Sequence, residues 1–202
     1  MKNWLIYSFI ALLSGSLFIS CGGEDDEDNT PEIANHMIID GVEYDLSAGF
    51  IENYGTDSWH EGYNTDLTLY SEGISVVNNE LVGAGHIIYF EMFSSTSSSL
   101  DSDDYNYSSN EPHPIGTFDY GLYLVNGNFE TEEVEDIDDI TEGTVSVSLT
   151  GNEYSITFDC VSFGEKEMSG YYKGTLEFFD YTEVIESPST KSLKTKKRFF
   201  QK

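Results

Sequence analysis

The sequence predicts a single all-β domain, either an antiparallel β-sandwich or a lipocalin-like β-barrel, with about eight short strands. Three observations favour this fold class. Apolar and polar residues alternate in successive short segments, as in strands that bury one face. No segment keeps the 3.6-residue period of an amphipathic helix. The composition has 18 Gly, 14 Tyr and 13 Phe but only 4 Pro, which favours strands joined by glycine turns.

The alternation places the strands in chain order. Segments 37–40 and 43–46 flank a glycine turn and predict an opening hairpin. Gly151 and Asn152 predict a tight two-residue turn between two later strands. Cys160 continues the alternating apolar face of the second of these, so we expect a buried structural thiol. The remaining predicted strands cover residues 66–71, 86–93, 118–124, 145–149, 154–160 and 170–180.

Three stretches interrupt the strand rhythm, at residues 54–65, 94–114 and 126–142. They are rich in Ser, Asn, Asp, Gly and Glu, and the composition therefore predicts loops. Because loops on a rigid scaffold often carry binding residues, we expect any ligand site to lie there.

Composition divides the chain into four segments. Residues 1–20 predict a signal peptide, residues 21–35 an acidic flexible tether, residues 36–182 the all-β domain, and residues 183–202 a basic disordered tail. The formal net charge is -28, from 37 acidic and 9 basic residues. A domain with this balance repels nucleic acid, so we expect no nucleic-acid partner.

The N-terminal segment begins with Lys2 and continues as a largely apolar stretch to Phe18. The residues "LFISC" at positions 17–21 resemble the lipobox of bacterial lipoproteins. This resemblance implies that Cys21 is acylated and becomes the N-terminus after cleavage, so that membrane lipid is a partner of the chain. An uncleaved membrane helix is the alternative, because the apolar run approaches the roughly 20 residues that cross a bilayer.

The five acidic residues at positions 24–28 resemble the export signal of surface-exposed Bacteroidota lipoproteins. The alternative is a charged spacer that carries no export signal. The runs "GYNTDLTLYSEGI", "GTVSVSLTGNEYSITFDC" and "SGYYKGTLEFFD" are similar to those of small lipoproteins of this group, whose domains are all-β and lipocalin-like or sandwich-like. The resemblance implies an outer-membrane location, at the cell surface or at the periplasmic face. It implies no activity and no site.

One candidate ligand site lies in the first predicted loop. Tyr54, Trp59 and Tyr63 stand among short polar residues there, a mixture of flat rings and hydrogen-bonding groups on which sugar rings can stack. The alternative is that these aromatic side chains cap one end of the core.

A second candidate site is a calcium loop. Asp101, Asp103, Asp104 and Asn106 offer oxygen atoms close together in sequence, and oxygen is the ligand that hard cations take. The alternative is a solvated acidic surface. Calcium is the one cofactor that the sequence suggests.

The sequence contains no GxSxG, HExxH or CxxC motif, and its 4 His residues show no metal-ligand spacing. We therefore expect a non-catalytic binding or accessory protein, with a glycan or a surface protein as its partner. A lipocalin-like carrier of small ligands is the first alternative, and it requires an open apolar interior. A hydrolase that uses two carboxylates is the second.

Overall fold

The computed structural model describes residues 34–182. The predicted signal peptide, Cys21, most of the tether and the basic tail lie outside the described residues. All described residues belong to one of the two compact units of the chain, Ile33–Lys202. Residues 34–182 contain no helix that is long and apolar enough to cross a membrane.

Twelve β-strands make up the described part of the chain, which confirms the all-β prediction. The predicted number of about eight strands was too low. The strands are β1 (His36–Ile39), β2 (Val42–Asp45), β3 (Ala48–Gly55), β4 (Tyr63–Tyr70), β5 (Ile74–Val77), β6 (Glu80–Ser94), β7 (Asp103–Tyr107), β8 (Thr117–Asn128), β9 (Asp136–Thr150), β10 (Glu153–Ser162), β11 (Glu167–Gly174) and β12 (Glu177–Asp180).

Eleven of these strands follow one another in a single sheet, in the order β12-β3-β4-β6-β8-β7-β9-β10-β11-β1-β2. The remaining strand, β5, pairs with the first half of β6. The sheet is mixed, because β12 runs parallel to β3 and β7 runs parallel to β8. The prediction of a purely antiparallel sheet was therefore wrong for these two pairs.

The sheet curls into a half-barrel, as two ring contacts show. Phe90 on β6 lies 5.8 Å from Phe158 on β10, measured between ring centroids, although three strands separate β6 from β10 in the sheet. Tyr44 on the edge strand β2 lies 5.0 Å from His86 on β6. Neighbouring strands are about 4.8 Å apart, so a flat sheet would hold both pairs much farther apart.

The two faces of the sheet bury two separate apolar clusters. The larger cluster draws side chains from β1 to β11, including Phe90, Phe118, Tyr123 and Phe158. The smaller one lies on the opposite face, where Phe50, Tyr89 and Leu122 pack against β5 and residues 129–137. Cys160 is buried in the larger cluster, as the alternation of β10 predicted.

Turn chemistry sets the ends of several strands. Asp40 and Gly41 both have positive φ, 48° and 79°, the conformation of a type I′ turn between β1 and β2. Asn78 and Asn79 adopt the same region, with φ of 53° and 60°, between β5 and β6. Asparagine tolerates this conformation better than most residues with a side chain, so a hairpin forms there without glycine.

Candidate functional site

Three acidic side chains lie in a row across the sheet. Glu52 on β3 is directly opposite Asp66 on β4, and Asp66 is directly opposite Glu91 on β6. Directly opposite residues share a face and hold their Cβ atoms about 5 Å apart. Glu52 is 0% exposed and Asp66 is 3% exposed, so the row places carboxyl groups in the protein interior.

Glu91, the third acid of the row, is hydrogen-bonded to Asn64. The side-chain amide of Asn64 donates a hydrogen bond of 2.6 Å to Oε1 of Glu91. Burial raises the pKa of Glu91, and the Asn64 hydrogen bond opposes that shift. The other amide atom, Oδ1 of Asn64, is buried and has no hydrogen-bond partner among the described residues.

His113 and Asp119 form an ion pair beside Glu91, with Nε2 and Oδ2 at 3.4 Å. Nδ1 of His113 lies 3.3 Å from the carbonyl oxygen of Ser108. Both ring nitrogens thus face oxygen atoms. Burial raises the pKa of Asp119, whereas the nearby His113 lowers it.

Aromatic rings close this end of the sheet. His60 and His113 each stack on Phe93, at centroid distances of 5.2 and 4.9 Å. Trp59 meets Phe93 edge-on at 5.7 Å and contacts both histidine rings. Backbone hydrogen bonds join the segment around His60 to the segment around His113. The Glu61 N–H donates to the His113 carbonyl at 2.7 Å. We call the group of Glu52, Asp66, Glu91, Asp119, His60 and His113 the acid–imidazole cluster.

The structure places the three predicted aromatic ligand residues in different surroundings. Tyr54 stacks on Tyr181 at 5.6 Å, and burial together with Glu52 raises its pKa. Trp59 is half-buried over Phe93. Tyr63 lies opposite Ser94 in the β4–β6 register, on the face of the sheet away from the acidic row. Tyr54 and Trp59 therefore lie beside the acid–imidazole cluster, and Tyr63 does not.

The predicted calcium residues make hydrogen bonds within the protein. Asp101 accepts bonds from the backbone N–H and the hydroxyl of Ser95. Asn106 accepts a bond of 2.9 Å from the Thr144 hydroxyl. Within residues 34–182, no three His, Cys, Asp or Glu side chains form a group that could hold a metal ion. Calcium binding at these residues stays a prediction.

An open groove of about 560 Å³ lies at the seam where the curled sheet brings β2 close to β6. We call it the β6 groove. Gly73, Ala84 and Gly85 line it with little or no side chain, and the other side chains that line it are polar. A Cβ on Gly85 would stand 2.1 Å from the Ser71 hydroxyl. The polar side chains of the groove are Asp45, Ser71, Glu72, His86, Asn126 and Asn128.

The His86 side chain in the β6 groove is held by a hydrogen bond and by a ring contact. Its Nδ1 accepts a hydrogen bond of 3.1 Å from the Asn126 backbone N–H, and its ring lies against Tyr44. Its own backbone N–H donates to the Ser71 hydroxyl at 2.9 Å. Burial lowers the pKa of His86, and the carboxylates of Asp45 and Glu135 oppose this shift.

Sequence reasoning did not find the residues of this groove. Asp45, Ser71, His86 and Asn126 belong to four separate segments, and only the strand order and the curl of the sheet bring them together. The glycines at 83 and 85, inside an otherwise apolar strand pattern, were the available signal. Glycine within a strand often marks a place where another backbone or a ligand approaches closely.

Comparison of the chain with protein-family models, with curated proteins and with solved structures gives no match.

Proposed function

We propose that this chain is a lipid-anchored outer-membrane protein, exposed at the cell surface, whose β-domain binds glycans in the β6 groove without catalysing a reaction. The observation that carries the proposal is the concentration of hydrogen-bonding side chains around an open groove of about 560 Å³. Grooves of roughly 300–1,000 Å³ are the usual size for small-molecule sites.

The groove offers the groups that recognise sugar hydroxyls. Asp45 and Glu72 supply acceptors, Asn126 and Asn128 supply amides, and the ring of His86 is fixed between them. The ring of Tyr44 packs against His86 and helps to hold it in place. Sugar hydroxyls both donate and accept hydrogen bonds, so a set of acceptors and donors around one opening suits them.

The anchor is supported by the lipobox-like residues and by simple energetics. One fatty chain gives only marginal membrane attachment, because each buried methylene contributes about 0.8 kcal/mol, whereas two or more chains hold firmly. A multiply acylated Cys21 would hold the domain without a protein span. The acids at 24–28 would then repel one another and extend the tether from the membrane.

The fold supports a lipocalin-like carrier of small ligands less well than a glycan-binding protein. Such a carrier needs a closed barrel with an open apolar interior. The described strands form a half-barrel whose larger cluster is filled by side chains such as Phe90, Phe118 and Tyr123, each 0% exposed. These side chains occupy the space that an apolar ligand would need.

A carboxylate-dependent hydrolase is a second candidate function, favoured by one observation. Glu91 and Asp119 interact electrostatically, and burial raises the pKa of both. Acids with raised pKa values are suited to general acid catalysis. Both side chains are partly buried, which gives a substrate less access than the open β6 groove does, so we place binding first.

A glycan-array screen of the full chain in detergent tests the binding function. We expect at least one class of glycan to bind, with and without calcium. The variant Glu72→Ala removes an exposed side chain of the groove and should weaken that binding about tenfold, whereas Trp59→Leu should not change it. Loss of binding only in Trp59→Leu would assign the ligand to the predicted aromatic surface instead.

Metabolic labelling with a fatty-acid analogue tests the anchor. The wild-type chain should take up label, and the variant Cys21→Ala should not. Label in both chains, or in neither, would contradict the lipoprotein assignment, and release of the wild-type chain from membranes by mild salt would do the same.

A further inference from the structure

The β6 groove carries negative charge that no Lys or Arg side chain within residues 34–182 neutralises. Asp45 and Glu72 line it, and Glu135 accepts a hydrogen bond of 2.6 Å from the Asn126 amide at its edge. The two basic residues of the described range lie elsewhere. Lys166 is paired with Asp136 and Lys173 with Glu153.

The histidine of the groove does not offset this charge at neutral pH. Burial lowers the pKa of His86, so the ring is neutral there. Because Nδ1 accepts the Asn126 N–H, the single proton of the neutral ring is on Nε2. His86 therefore offers one neutral donor, and the groove as a whole offers mainly acceptors.

We propose that the β6 groove selects glycans by charge: it binds neutral sugars, binds amino sugars with a free ammonium group more tightly, and rejects sugars that carry carboxylate or sulfate. The proposal rests on the glycan-binding function above and adds its ligand class. An ammonium group finds Asp45 and Glu72 as acceptors, whereas an anionic group meets two like charges and, in the part of the chain that the structure describes, no Lys or Arg partner.

The test compares four oligosaccharides of similar length on the full chain in detergent at low salt, by calorimetric titration. They are a glucosamine oligomer, its N-acetylated counterpart, a neutral glucose oligomer and a galacturonate oligomer. Two exposed ion pairs together change affinity by about tenfold. We therefore expect the glucosamine oligomer to bind about tenfold more tightly than its acetylated counterpart, and the galacturonate oligomer not to bind.

Two double variants separate the groove from the overall charge of the domain. Asp45→Asn with Glu72→Gln removes the charge of the groove at two exposed positions. Asp159→Asn with Glu142→Gln removes the same charge from exposed positions on β10 and β9. The first pair should abolish the advantage of the glucosamine oligomer, and the second pair should keep it. Thermal melts of both variants check that they remain folded.

Three other results would contradict the proposal, and each would show a different part of it to be wrong. If galacturonate binds as tightly as the neutral oligomer, the charge selection is wrong although glycan binding stands. If both double variants lose the glucosamine advantage equally, the effect belongs to the domain charge and not to the groove. If no oligosaccharide binds, the selection and the proposed glycan function fall together.

Discussion

Replacing Glu91 by glutamine should stabilise the protein at neutral pH. Glutamine has nearly the same shape, and its Oε1 can still accept the hydrogen bond that the Asn64 amide donates to Glu91 at 2.6 Å. What the substitution removes is a partly buried negative charge in a row that already contains Asp66 directly opposite. Burial disfavours that charge, which is why the pKa of Glu91 is raised.

The sign of the pH dependence follows from that shift. An acid whose pKa is raised in the folded state contributes full stability below its unfolded pKa and loses it as the pH rises through the folded value. Glu91 therefore costs stability at pH 7 and costs none well below the ordinary value of 4.5. Single stabilising substitutions typically add about 0.5–2 kcal/mol, so the gain from Glu91→Gln should be about 1 kcal/mol at pH 7, which is about 2–4 °C in melting temperature for a domain of this size.

Thermal melts of the full chain, followed by circular dichroism from pH 3.5 to pH 8, measure this gain. Glu142→Gln is the matched control, because Glu142 is exposed on β9 and its replacement should change stability by less than about 0.5 kcal/mol. A Glu91→Gln variant that melts lower than wild type at pH 7 would refute the reasoning. So would a gain of the same size at pH 3.5 and pH 7.

Three further predictions concern stability and reactivity. His113→Gln should cost about 2 kcal/mol in urea unfolding, because it leaves the partly buried Asp119 carboxylate without its ion-pair partner; an unchanged midpoint would mean that this pair contributes nothing. Phe90→Ala should cost about 3–5 kcal/mol, since Phe90 is 0% exposed, whereas alanine at Phe163, which is 77% exposed, should change stability by less than about 0.5 kcal/mol. Cys160 should resist iodoacetamide in the folded protein at pH 8 and react in urea, because burial raises the pKa of its thiol to about 12; rapid labelling of the folded chain would contradict its burial.

Strands with a clear alternating pattern could be predicted from the sequence. Tyr154 to Cys160 on β10 alternate buried and exposed positions, and the turn at Gly151 and Asn152 joins β9 to β10 as expected. In these elements the local pattern and the tertiary structure agree, so either one is enough to assign the strand.

Other strands could not be predicted from their own sequence, because they form by pairing with neighbouring strands. β7 (Asp103–Tyr107) lies in a segment rich in Ser and Asp, and the sequence predicted a loop there. Its backbone pairs with both β9 and β8, and only Tyr105 is buried. The first part of β9 carries an acidic run that also suggested a loop, yet residues 136–140 pair with β8. In both segments, backbone hydrogen bonds to neighbouring strands produce a strand although the local sequence pattern does not predict one.

The sites could not be predicted, because they depend on register and curl. Glu52, Asp66 and Glu91 form one row only in the register of β3, β4 and β6, and a shift of one residue would move a strand's side chains to the other face. The β6 groove needs the edge strand β2 to return beside β6, as the contact of Tyr44 with His86 shows. Tyr54 and Trp59 were identified from composition, without the acidic row beside them.

Hydrogen–deuterium exchange of the full chain with a bound glycan tests the central claim most directly. If the β6 groove is the binding site, the ligand should slow exchange at the backbone amides of residues 71–73, 84–86 and 126–128. The amides of residues 54–63, around Trp59, should exchange at their free rate. Protection at 54–63 with no change around His86 would contradict the account.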